Sequence, residues 1–156
     1  MTRGPGVHDG SGVTMRVTEV LRRKGGTVVT IAPDRSVREL LGLLEEHGIG
    51  AVVVSGDGTG VDGIVSERDV VRSLHTDGDG VLDAAVSSIM TVEVESCGPQ
   101  DQVDELMAVM TDSRVRHLPV LEDGRLIGIV SIGDVVKHRI AEIQAERDQL
   151  TAYISR

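Results

Sequence analysis

The stretches GIVSERDVV (63–71) and GIVSIGDVV (128–136) keep seven of nine letters at an offset of 65 residues. A nonapeptide written twice marks an internal duplication, and the flanks define its extent. At an offset of 66 residues Pro33 matches Pro99, Val37 matches Val103, and Glu39-Leu40 matches Glu105-Leu106. At 65, Ser66 matches Ser131 and Asp69 matches Asp134. The one-residue slip falls between SGDGTG (55–60) and LEDG (121–124), turns in which an extra residue is tolerated. The lead-ins agree as well: Val17, Val20 and Leu21 run parallel to Val86, Ile89 and Met90.

Each copy predicts the order β-α-β-β-α, an α+β chain of two repeats packed about a pseudo-twofold axis. A β-rich run opens each copy, TVVTI (27–31) or TVEVE (91–95). A helix follows, with Ser36 as cap, Glu39 closing its capping box and Val37, Leu40, Leu41 and Leu44 on one stripe before Gly48. In the second copy Asp101 is the expected cap, with Val103, Leu106, Met107 and Met110 as the stripe. Strands AVVVS (51–55) and HLPVL (117–121) lead through Gly-containing turns to VDGIV (61–65) and LIGIV (126–130). Pro119 lacks an N–H, so its strand is expected at an edge or at a bulge. The expected divisions are a flexible tail over 1–14, a first repeat over 15–75, a turn-rich linker over 76–83 and a second repeat over 84–140. A helical extension covers 141–156. There Val136, Ile140, Ile143, Leu150 and Ile154 sit at heptad-like spacing, with Arg147 interrupting the seam. This seam is either a solvated terminal helix or a dimer contact.

The 156 residues carry a formal net charge of −9, a field that repels phosphate backbones. Tyr153 is the sole aromatic residue, so no platform for stacking bases exists. Nucleic-acid binding is therefore not expected. Any planar ligand must lie between aliphatic side chains. Cys97 is the single cysteine, which closes no disulfide and suits a reducing cytoplasm. No apolar run reaches the ~18 residues of a membrane span, and the N-terminus has no apolar core of a secretion signal.

The repeated S-x-x-D ends a strand and opens a helix. Backbone N–H groups and the helix dipole favour an anion there. Ser66 and Ser131 offer a hydroxyl, and Asp69 and Asp134 lie one turn in. A carboxylate so placed accepts two hydrogen bonds from a ribose diol, as the acid of dinucleotide-binding folds does. The same letters also make a capping box that needs no ligand. Both readings stand on the residues alone. Recurrence with the preceding GIV, and Asp in both copies where Glu closes a box better, favour a site.

Two β-α-β-β-α units ending in G-I-V-S-x-x-D resemble a tandem pair of cystathionine-β-synthase (CBS) domains, the Bateman module of small stand-alone bacterial proteins. The resemblance runs over about 17–140, most specifically in RVRHLPVLEDGRLIGIVSIGDVV (114–136). It implies a non-enzymatic regulator and a homodimer that signals to a protein partner. It implies ribose and phosphate contacts from Ser66 and Asp69 and from Ser131 and Asp134. Adenine would lie on Ile31 and Ala51 in one cleft, and on Val94 and His117 in the other. Phosphates would meet Arg116 and His117, Arg68 in the first copy and, less directly, Lys24. These bases would make a positive pocket in a negative protein. Gly133 replaces Arg68 in the second copy, so the clefts are not expected to be equivalent. The expected ligand is AMP, ADP, ATP or a nicotinamide adenine dinucleotide, with no required cofactor. An S-adenosylmethionine-type sensor and a ligand-free dimerisation module are the rivals.

Other motifs fail on context. Gly58-Thr59-Gly60-Val61-Asp62-Gly63 matches G-x-G-x-x-G, but a strand rather than a helix follows. Asp77-Gly78-Asp79-Gly80 begins like a calcium loop, yet Val81 stands at the third ligand and no Glu closes it. The five histidines show no metal spacing, and no nucleophile is paired with a base, so neither a metal site nor a catalytic centre is expected.

Overall fold

Serine side chains cap three of the helices at their N-termini. The computed structural model describes residues 15–25 and 28–155, and these form five helices and five strands. The order is α1 (Val17–Lys24), β1 (Thr30–Ile31), α2 (Val37–His47), β2 (Ala51–Val54), β3 (Gly63–Ser66) and α3 (Glu67–Asp77). After two short 3-10 turns come α4 (Val103–Asp112), β4 (His117–Glu122), β5 (Arg125–Ser131) and α5 (Ile132–Ile154). Ser36 Oγ accepts from Glu39 N at 3.1 Å and starts α2. Glu39 does not close the expected box. Its carboxylate lies 3.7 Å from Arg35 instead. Asp101 does not cap α4 either: its Oδ2 accepts from Gly98 N at 2.7 Å, and Gln102 holds the cap position. Gly48, at φ 62°, takes the left-handed turn that ends α2.

The first half forms a three-stranded sheet, β1-β2-β3, with β1 parallel and β3 antiparallel to β2. All four residues of β2 are buried. The second half has only β4 and β5 as an antiparallel pair. The strand expected at 91–95 does not form. Thr91 makes an isolated bridge to Ile64, and Cys97, not Val94, takes the place of Ile31 beside the next strand. Leu121 N donates to Cys97 O at 2.8 Å just as Ser55 N donates to Ile31 O at 2.9 Å. The alternation in TVEVE suggests a strand, but Val92 is 67% exposed and Glu93 and Glu95 face solvent. No buried face rewards a ladder there. Pro119 sits in β4 with a register irregularity just beyond it, as its missing N–H requires.

The halves are tied by exchanged lead-ins. Met15, Val17 and Val20 are buried in the core of the second half, with Val103, Leu106, Leu118 and Val130. Val81 and Val86 are buried in the first, with Val37, Leu40, Val52 and Val65. The backbone contacts repeat in register. Val17 N donates to Asp101 O and Thr18 N to Pro99 O; Val86 N donates to Arg35 O and Ser87 N to Pro33 O. This pairing supplies the pseudo-twofold relation. It also explains the repeated glycine of G-I-V-S. A Cβ on Gly63 would lie 2.8 Å from Met90 Sδ, and one on Gly128 would lie 2.5 Å from Leu21 Cδ2. Each glycine makes room for the other half's lead-in.

The segment read as a turn-rich linker is structured. α3 runs through Asp77, and a 3-10 turn over Asp79–Asp83 buries Val81. α5 is one continuous helix, and Val136, Ile140, Ile143, Leu150 and Ile154 on it are 43–79% exposed. Residues 1–14, read as a tail, lie outside the described residues. Among the described residues no helix is long and apolar enough to cross a membrane.

Candidate functional site

Both S-x-x-D motifs fold as capping boxes. Ser66 Oγ accepts from Asp69 N at 3.3 Å, and Asp69 Oδ2 accepts from Ser66 N at 2.8 Å and from Ser66 Oγ at 3.0 Å. Ser131 and Asp134 repeat the two amide bonds: Ser131 Oγ accepts from Asp134 N at 3.2 Å, and Asp134 Oδ2 accepts from Ser131 N at 2.9 Å. The first helical amides are also taken, Glu67 N by Gly50 O and Ile132 N by Arg116 O. The helix ends therefore offer an anion fewer free donors than the sequence suggests, and charge there must come from side chains. Asp69 keeps one oxygen, Oδ1, outside the cap, with Arg72 4.0 Å away.

A cavity of about 590 Å³ opens between the halves, within the ~300–1,000 Å³ usual for small-molecule sites. Its wall brings Ser66, Arg68 and Asp69 of the first half together with Arg116 and His117 of the second. Ala51, Ile64 and Val94 supply apolar surface. Ala51, Val94 and His117 thus share one cavity, rather than being divided between two clefts. Ile31 does not line it; that side chain is 7% exposed in the first core.

The lining is not a positive pocket. Arg68, Arg72, Arg114 and Arg116 are balanced by Glu67, Asp69, Glu93 and Glu95. His117 adds no charge near neutral pH. Burial lowers its pKa from the ordinary 6.5, and the neighbouring Lys24 lowers it further. Among the described residues neither Arg68 nor Arg116 forms an ion pair, so both remain available. Arg72 and Arg114 were missed by sequence reasoning. Arg72 was findable, since it follows Arg68 by one helical turn on α3. Arg114 gave no signal; it occupies a left-handed position at φ 54°.

The second motif is arranged differently. Lys24 Nζ reaches it and donates to Asp134 Oδ2 at 2.7 Å and to Ile129 O at 2.8 Å. Lys24 is therefore remote in role from the phosphate contacts expected of it. Burial pushes the Asp134 carboxyl up, but the hydrogen bonds from Lys24 and Ser131 outweigh this and leave it below the ordinary carboxylate value. Ser131 and Asp134 do not line the cavity that holds Ser66 and Asp69.

Comparison with known proteins agrees with this architecture. The family model described as CBS domain matches residues 17–76 and 86–141. A mitochondrial CBS domain-containing protein of Arabidopsis thaliana is 35% identical over 146 residues, 88% of this chain and 71% of its own length. A CBS-domain containing protein from Agrobacterium tumefaciens, solved by crystallography, is 49% identical with a TM-score of 0.77, covering 80% of this chain and 99% of that one. The CBS domain pair of protein MJ0100, solved in complex with 5-methylthioadenosine and S-adenosyl-L-methionine, gives a TM-score of 0.73 over 82% of this chain and 98% of that one. Its 22% identity makes that a likeness of fold.

Proposed function

Because this chain belongs to the CBS-domain family, in two tandem copies, we propose that it is a non-catalytic regulator that takes an adenine nucleotide into the cavity between its halves. The ligand class is AMP, ADP, ATP or a nicotinamide adenine dinucleotide. One observation carries this reading: Ser66 and Asp69 from one half and Arg116 and His117 from the other line the same cavity. Asp69 Oδ1 is an acceptor for ribose hydroxyls. Ala51, Ile64 and Val94 offer an aliphatic bed for adenine in a cavity whose described wall holds no Phe, Trp or Tyr. Arg68, Arg72, Arg114 and Arg116 are the candidate phosphate partners, and guanidinium groups suit phosphate through paired donors.

A ligand held by both halves stabilises whichever arrangement of them it fits, and it acts only through its unequal affinity for two states. The exposed apolar row on α5 supports a homodimer as the unit that reports this to a protein partner. A second reading is an S-adenosylmethionine-type ligand. Glu67, Glu93 and Glu95 in the same wall would suit its cationic centre. Four arginines in the wall weigh toward phosphate, since S-adenosylmethionine would offer them a single carboxylate.

Thermal melting of the full chain with millimolar AMP, ADP, ATP, NAD and S-adenosylmethionine tests the reading. A ligand at ~100 times its Kd adds ~2.7 kcal/mol. That corresponds to a rise of ~5–10 °C for a chain of this size. A phosphate-bearing ligand should produce it, and Asp69→Asn should abolish it. A rise with S-adenosylmethionine alone selects the second reading, and no rise with any of the five removes both.

A further inference from the structure

We propose that the second S-x-x-D motif is occupied by the protein itself: the Lys24 ammonium is bonded to the cap oxygen of Asp134, Oδ2, and neutralises the carboxylate whose other oxygen would receive ribose hydroxyls. The chain consequently takes one nucleotide rather than two. The inference rests on the reading of Ser66 and Asp69 as a sugar site. Lys24 Nζ lies 2.7 Å from Asp134 Oδ2 and 2.8 Å from Ile129 O, so two of its three donors are spent on the motif. In the first motif the carboxylate has no such occupant. The nearest cation to Asp69 is Arg72, 4.0 Å away with its side chain 70% exposed. The carbonyl matching Ile129, that of Ile64, accepts from a backbone donor, Thr91 N, at 2.8 Å. The two motifs therefore share their caps and differ in what approaches them.

Lys24 is not a surface lysine that happens to fall there. It is the last residue of α1, whose Val17 and Val20 are buried in the second core. Leu21 of the same helix packs over Gly128. The crossed lead-in thus holds the ammonium beside the motif, and the Lys24 side chain is 34% exposed against 21% for Asp134. A tethered competitor acts at a high effective concentration. A free nucleotide entering the second motif meets a carboxylate already paired with an ammonium at 2.7 Å, whereas at the first the cation stands 4.0 Å off. Gly133, where the first copy has Arg68, supplies no side-chain base in compensation.

Titration calorimetry on the full chain with ATP, AMP and S-adenosylmethionine as probes decides the matter. The native protein should bind one equivalent of its preferred probe, and Asp69→Asn should remove it. Lys24→Met and Lys24→Gln, which keep the length of the side chain, should each bind a second equivalent. Adding Asp134→Asn to either should return the count to one, and Lys24→Arg should leave it at one. Two equivalents on the native protein, or a single equivalent on both Lys24 variants, overturn the proposal while leaving nucleotide binding intact. Silence of native and variant proteins toward every probe overturns it together with the sugar-site reading. Binding by the Lys24 variants alone, lost with Asp134→Asn, upholds the occupant and assigns no sugar to Asp69.

Discussion

Replacing Gly63 or Gly128 by alanine places a methyl group where the opposite half's lead-in already stands. At Gly63 the new Cβ would lie 2.8 Å from both Met90 Sδ and Thr91 O. Thr91 O is a backbone atom that accepts from Ile64 N at 2.9 Å, so relief requires breaking that pair. At Gly128 the Cβ would lie 2.5, 3.1 and 3.3 Å from three atoms of the Leu21 side chain, which can rotate away in part. Overpacking of this kind costs ~1–3 kcal/mol. Removing a strand glycine returns ~0.5–1 kcal/mol of backbone entropy. The lost pair at Thr91 adds ~1 kcal/mol. The expected net losses are ~2–3 kcal/mol for Gly63→Ala and ~1 kcal/mol for Gly128→Ala, combining these ranges. At ~2–4 °C per kcal/mol, melting should fall by ~4–12 °C and ~2–4 °C respectively.

Urea unfolding gives the difference directly if the dependence on denaturant is unchanged. The Gly128–Leu21 pair also allows a double-mutant cycle. Leu21→Ala should recover part of the Gly128→Ala loss, with a coupling above ~0.5 kcal/mol. Met90→Ala should recover less of the Gly63→Ala loss, because the Thr91 carbonyl remains in the way. Should Gly63→Ala match the native protein within ~0.5 kcal/mol, the lead-ins do not cross and the reason given for the repeated glycine is wrong.

Arg116→Ala should weaken ATP about 10- to 100-fold, the worth of a charged hydrogen bond, and adenosine hardly at all; equal losses for both place Arg116 off the phosphates. Because the folded pKa of His117 lies below its ordinary 6.5, the unfolded chain takes up that proton first as pH falls. Stability should therefore decline as pH drops through about 6.5 and stop declining, as far as this group is concerned, below the folded value. His117→Asn should flatten that stretch of the urea midpoint against pH, and an unchanged slope assigns it elsewhere. Ile143→Glu, at a position 51% exposed on α5, should convert a dimer to monomer in sedimentation while keeping the native far-ultraviolet circular dichroism, and should make melting independent of protein concentration. A native protein that already sediments as a monomer removes α5 as the contact.

Local physics made much of the fold legible. A serine accepts from the amide three residues on, so Ser36, Ser66 and Ser131 announced three helix starts without reference to the rest of the chain. Gly48 and Pro119 likewise report backbone requirements that any context must respect. Contacts between halves carry no such local signature. Val17 and Val86 read as apolar lead-ins to their own repeats, and nothing nearby in sequence says that each packs on the other. The strand expected at 91–95 failed for a related reason. Alternation in TVEVE satisfies the pattern of a half-buried strand, but burial is granted by neighbours, and this segment has too few. The site suffered the same limit. Ser66 and Asp69 were visible as a motif, while their company with Val94 and Arg116 depends on how the halves meet. Lys24 was visible as a base and misplaced, because its partner lies 110 residues away.

Duplication alone would give two equal clefts. The backbone keeps that equality closely, in the crossed lead-ins, the twin capping boxes and the paired carbonyl contacts before each helix. Function need not follow, because the boxes consume the atoms that the repeat conserves between its copies. What remains for a ligand is decided outside the repeated letters. Arg68 stands opposite Gly133, and the carbonyls of Ile64 and Ile129 receive a backbone amide in one case and a lysine in the other. A lysine two turns into the lead-in helix is thus enough to turn one copy of a shared motif into an internal ion pair. The cavity beside the first motif draws its arginines from both halves, Arg68 and Arg72 from the first and Arg114 and Arg116 from the second, so a ligand there would touch both.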